Sequence, residues 1–81
     1  MMTTTHKSPG GFYAWMMENY LNAQNRFADL ARDMYEDYCF PHEDDYDAIY
    51  DYLVYDCGAA TACIAVFREC WKMYQEAYAY A

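Results

Sequence analysis

The sequence predicts an all-α fold, a compact four-helix bundle with a long C-terminal helix. Three observations carry that expectation. Apolar residues recur at three- and four-residue spacing in four separate stretches. Breakers (Pro9-Gly10-Gly11, Pro41 and Gly58) fall between those stretches. No run alternates apolar and polar residues in the way a half-buried strand does.

The first helix is expected from about Phe12 to Leu21, where Phe12, Trp15 and Met16 fall on one face. The second is expected from about Asn25 to Tyr38. Its apolar stripe is Phe27, Leu30, Ala31, Met34 and Tyr38, with Asp29, Asp33 and Glu36 opposite. Pro41 forbids continuation, so residues 39–42 read as a loop. A third helix starts after a cap at Asp44 or Asp45 and ends near Asp56; Tyr46, Ile49 and Leu53 face inward with Tyr52 beside them, and Asp47, Asp51 and Tyr55 face outward. Gly58 suits the left-handed position after a helix end. The fourth and longest helix runs from about Ala59 to Tyr78, with Ile64, Phe67, Trp71, Tyr74 and Tyr78 as its stripe. Residues 1–10 read as a flexible tail and 11–81 as one domain.

Five of these features, taken in order, resemble the YozE-like family of small bacterial proteins. They are Phe12-Tyr13 opening the first helix, Phe40-Pro41 in the loop, Asp45-Tyr46 opening the third helix, Tyr52-Leu53 closing it, and Phe67, Trp71 and Tyr74 on the fourth. The resemblance spans about residues 11–76. It implies a sterile-alpha-motif-like (SAM-like) four-helix domain, a class that mediates protein–protein contacts and in some members binds nucleic acid. The matching residues are mostly apolar, so the resemblance carries over no functional residue.

Composition bounds the core. Of 81 residues, 57% are hydrophobic, but Tyr alone supplies eleven of them and Leu, Ile and Val together only seven. The core must be aromatic, with Met16, Met17, Met34 and Met73 as filler. An apolar run from Phe12 to Met17 is too short for a signal core, and nothing approaches a membrane span. The expected compartment is the cytoplasm (host cytoplasm if the gene is viral), where the four cysteines stay reduced.

Charge is more informative than its total. The net charge of −8 argues against holding duplex DNA through its phosphates. Residues 29–56 alone carry −9, ten acids against Arg32, and the remaining chain sums to +1. Tyr35, Tyr38, Tyr46, Tyr50, Tyr52 and Tyr55 lie among those acids. Asp29, Asp33 and Glu36 on the second helix, and Asp47 and Asp51 on the third, sit about 5–6 Å apart, at a cost of a few tenths of a kcal/mol per pair. One reading is a solvated, solubilising face. The other is a docking face for a basic protein, in which acids steer the partner and tyrosines hold it. Its candidate residues are Asp29, Asp33, Glu36, Asp44, Asp45, Asp47, Asp51, Tyr35, Tyr50 and Tyr55.

Two functions follow from a docking face. The first is a non-catalytic protein-interaction module, self-associating or not. The second is an acidic mimic of nucleic acid, such as a phage-type inhibitor of a defence nuclease or DNA-binding protein; carboxylates about 6 Å apart roughly match phosphate spacing and rings stand in for bases. No cofactor is expected. Cys39-x-x-His42 has ligand spacing and Cys57 with Cys63 would complete a set, but no C-x-x-C pair supports zinc, and buried or half-buried small hydrophobes are the favoured role for the thiols. Glu43, Asp45 and Asp47 alternate as in a calcium loop, without its glycine or distal glutamate. Neither His42 nor His6 has an orienting partner for nucleophilic catalysis, so no enzyme activity is expected.

Overall fold

A computed structural model describes residues 10–78, with no side-chain account for Tyr78; the expected tail over 1–9 and the place of Tyr78 in the core stripe lie outside what it describes. Helix α1 spans Gly11–Tyr20, α2 Arg26–Glu36 and α3 Tyr46–Asp51; α3 runs on into a π-helical turn over Tyr52–Asp56, and α4 spans Thr61–Tyr78. No strand occurs among the described residues. The architecture is the expected four-helix one, with α4 the longest at 18 residues.

The starts of α1, α2 and α3 each have an identifiable cap. Asn25 accepts from the amides of Phe27 and Ala28 at 3.0 and 3.2 Å and opens α2. Asp45, rather than Asp44, opens α3 by accepting from Asp47 at 3.0 Å and Ala48 at 3.5 Å. Helix α1 has no side-chain cap from its own neighbour Gly10. Instead Asp44 reaches across and accepts from the Phe12 amide at 3.1 Å, placing a carboxylate at the positive end of α1.

Gly11 makes that approach feasible. Its φ is +73°, and a Cβ there would meet the Asp44 side chain at 3.1 Å. Gly58, at φ +60°, takes the expected left-handed position after the π-helical turn. The turn itself closes on a hydrogen bond from the Cys57 amide to the Tyr52 carbonyl at 3.0 Å.

Two boundaries differ from expectation. Helix α4 begins at Thr61, not Ala59. Helix α2 ends at Glu36, because Asp37 adopts extended backbone (φ −105°, ψ 105°) and its carboxylate accepts from the Cys39 amide at 3.0 Å. Such a side-chain turn competes with a further helical turn. Tyr38 therefore leaves the apolar stripe expected of it and is fully exposed.

The core is aromatic as composition requires. Phe12 is completely buried and meets Phe67 and Tyr74 edge-on, with centroids at 5.7 and 5.6 Å, and Trp71 at 5.0 Å. Tyr46 stacks on Phe67 at 5.2 Å. Met16, Met34, Ile49, Leu30 and Leu53 fill the space between the rings.

Candidate functional site

The loop over residues 37–45 joins α2 to α3 and carries an aspartate near each end. Asp44, a candidate docking residue, is half-buried; its second oxygen accepts from the Tyr74 hydroxyl at 3.0 Å while the first holds α1. Both oxygens are thus committed to holding helices together, because the carboxylate is directed between α1 and α4. Asp44 drops out of the surface set on that ground.

Asp37 occupies the other end. Its carboxylate accepts from the Cys39 amide, from the Tyr52 hydroxyl at 2.5 Å, and at 4.0 Å from the Cys57 thiol. The Tyr52 hydroxyl is held well above its ordinary pKa, first by the bond to Asp37, which favours the protonated phenol, and then by burial and by Cys57. Asp37 therefore pins the loop to the π-helical turn.

Open space lies on both sides of this junction. On one side a hollow of about 330 Å³ is floored by Leu30, Phe40 and Leu53 and edged by Asp33, Asp37 and Cys57. Beside it, between α2 and α4, lies a smaller one of about 190 Å³, and the two share Leu30, Asp33 and Cys63. On the other side a shallow hollow of about 390 Å³ is lined by Cys39, Glu43, Asp51, Tyr52, Tyr55 and Asp56, among others.

The expected docking residues divide between these places. Asp29 and Asp33 border the α2–α4 side, and Asp51 and Tyr55 line the outer hollow. Asp47, Asp45, Glu36 and Tyr35 are exposed near neither lining. Tyr50 is half-buried and stacks on Tyr46 at 5.8 Å, so it offers only an edge. Asp29 pairs with Arg32 at 2.7 Å on the open surface, an interaction worth little in water. Sequence reasoning passed over Asp37, Glu43 and Asp56 as site residues and placed Tyr38 inside. Their acid count was visible; their division between two hollows, Asp37 on one and Glu43 with Asp56 on the other, was not.

The thiols split as well. Cys70 is fully buried, and burial pushes its pKa up to about 12. Cys63 is half-buried, and its pKa is raised first by burial and then by nearby Asp33 and Cys57. Cys39 and Cys57, expected as buried or half-buried small hydrophobes, are exposed, whereas Cys63 and Cys70 are as expected. The reason is the early end of α2 for Cys39 and the close of the π-helical turn for Cys57. Cys57 and Cys63 line one hollow and Cys39 the other, while His42 stacks its ring on Tyr13 at 3.7 Å. Among the described residues no group of three or more His, Cys, Asp or Glu is arranged to hold a metal ion. Also among them, no helix is long and apolar enough to cross a membrane.

A four-helix core with a long final helix defines a small helical domain of the SAM-like class. Residues 11–76 match the model of the YozE SAM-like fold, and the chain belongs to that family. It is similar to a UPF0346 protein of Bacillus cereus, 35% identical over 65 residues that cover 78% of this chain and 89% of the relative. It is similar also to a UPF0346 protein of Bacillus mycoides, 34% identical over the same 65-residue length. No solved structure matches it.

Proposed function

We propose that the protein is a non-catalytic interaction module that presents its acidic, tyrosine-rich surface to a basic protein partner in the cytoplasm. One observation supports this most. Among the described residues the large exposed hydrophobics are Tyr35, Tyr38 and Tyr55, at 65%, 103% and 78% exposure, and all of them belong to the segment that carries the negative charge. Exposed rings in a small domain lose the stabilisation that burial would bring, and Tyr offers large contact area at little entropic cost. Acids around them speed the approach of a cationic surface. Asp47, Asp51 and Tyr55 on the outer face of α3 and its π-helical extension form the centre of the proposed surface.

The test is capture. The wild-type protein should retain a partner with a basic surface, and Asp47→Lys with Asp51→Lys should abolish retention while the helical spectrum is unchanged. Undiminished retention overturns the reading. A partner released by added duplex DNA, with affinity falling steeply as salt rises, would identify the surface as a mimic of nucleic acid.

A further inference from the structure

We propose that the groove between α2 and the start of α4 is the seat for one cationic amphipathic helix of the partner. The inference rests on the docking reading and gives it a second, deeper contact. Three properties of the groove select that occupant.

The first is shape. The two adjoining hollows of about 330 and 190 Å³ lie between helices, with α2 as one wall and the entry of α4 as the other. Helices pack into the channels that other helices leave. The channel exists because the entry to α4 carries only small residues there, Ala59, Ala60, Ala62 and Cys63, where larger side chains would close it. The second property is polarity. Leu30, Phe40 and Leu53 floor the main hollow and Val66 borders the smaller one, so an occupant must bring apolar side chains on one face.

The third is charge. Asp33 borders both hollows, Asp29 the smaller and Asp37 the larger, against one cation in the lining, Arg26 at the smaller hollow. Asp33 has no ion pair among the described residues, whereas the cations nearby are spent: Arg26 is held by both oxygens of Glu69 at 2.7 and 2.8 Å, and Arg32 by Asp29. An apolar stripe flanked by Lys or Arg complements this lining. A second copy of this chain, at −8, is repelled, and so is an anionic lipid surface.

The probe is a synthetic peptide of about four helical turns, with Leu at i, i+3, i+4 and i+7 and Lys on the flanks. A scrambled peptide of identical composition is the control. Fluorescence anisotropy at physiological salt should show the designed peptide binding about tenfold tighter than the scrambled one. Ala60→Trp, at an exposed position, should fill the groove and weaken binding about tenfold. Asp33→Asn should weaken it several-fold with no effect on the fold, which keeps the proposal testable if the tryptophan variant misfolds. Backbone amide NMR shifts should centre on Leu30, Asp33, Ala60 and Cys63. Equal binding of the scrambled peptide, or indifference to both variants, overturns the groove. Shifts confined to Asp51, Tyr55 and Asp56 also overturn it. That last result leaves the acidic tyrosine surface standing, whereas retained capture by the Asp47→Lys, Asp51→Lys variant defeats the surface reading itself.

Discussion

Asp44 and Asp37, near the two ends of one loop, each accept a tyrosine hydroxyl, yet they do different things. Asp44 holds Tyr74 and the Phe12 amide where α1 crosses α4, and the tyrosine it holds is 1% exposed. Asp37 holds Tyr52 and borders a hollow, with exposed Cys39 and Cys57 beside it. The same pair of residue types makes a tertiary stitch in one place and the hinge of an open surface in the other. What separates them is the packing around the bond. Tyr74 is sealed from water, so its acceptor is costly to remove; Tyr52 is only half-buried, and water replaces part of what Asp37 supplies.

The sharpest way to break that contrast is to remove each carboxylate in turn. Asp44→Ala should destabilise the domain by about 3 kcal/mol, since it deprives a buried hydroxyl and a helix-terminal amide of a charged acceptor at once. A domain of this size has a margin of only a few kcal/mol, so urea unfolding should show a large fall in midpoint. Asp37→Ala should cost about 1 kcal/mol, within reach of the same measurement. Equal costs would dissolve the distinction between the two ends.

Gly11→Ala tests the closed end from its other side. The added Cβ sits at φ +73° and 3.1 Å from the Asp44 side chain, so it is strained by backbone and by contact together. A loss of about 1–2 kcal/mol is expected. Combined with Asp44→Ala, the contact part of that loss should disappear, giving a non-additive double-mutant cycle.

Alkaline pH separates the regions by their titrating groups. Cys70 in the core has a folded pKa of about 12 against an ordinary 9.0, and Tyr52 on the open side is raised above 10.0. In both cases the folded state keeps a proton that the unfolded state has lost, so stability falls as pH rises. The thiol contribution is intact below pH 9.0 and fades towards about 12; that of Tyr52 begins to fade only above 10.0. Cys70→Ala should flatten the first part of the decline in thermal midpoint and Tyr52→Phe the later part.

The fold was legible because its determinants are local or periodic. Phe12, Trp15, Met16, Phe67, Trp71 and Tyr74 declare their faces by spacing alone, and Pro41 and Gly58 mark the breaks. The site was legible in composition and not in arrangement. That Asp44 caps α1, 32 residues away in sequence, has no local signal, because Asp45 beside it offers the same chemistry to α3. Tyr38 continues the stripe of α2 by spacing, and only the side-chain turn at Asp37 takes it out. The groove depends on two helices meeting across Ala60 and Leu30, a juxtaposition that one-dimensional periodicity does not contain.

The smallest effect expected has the opposite sign from the rest. Asp51 lies one turn after Asp47 on the outer face of α3, and it lines the same hollow as Glu43 and Asp56. Asp51→Lys replaces a like-charge pair by an opposite-charge one, so the unfolding free energy should rise by a few tenths of a kcal/mol, read as a higher urea midpoint at unchanged slope. A face that only confers solubility would gain that stability and lose nothing else. A docking face would gain it and lose partner capture in the same variant. Natural surfaces retain a destabilising arrangement where binding requires it. The opposed signs of the two measurements on one substitution therefore discriminate between the readings more cleanly than either measurement does alone, and they do so at the end of the molecule where Tyr55 and Asp56, rather than Phe12 and Tyr74, surround the charge.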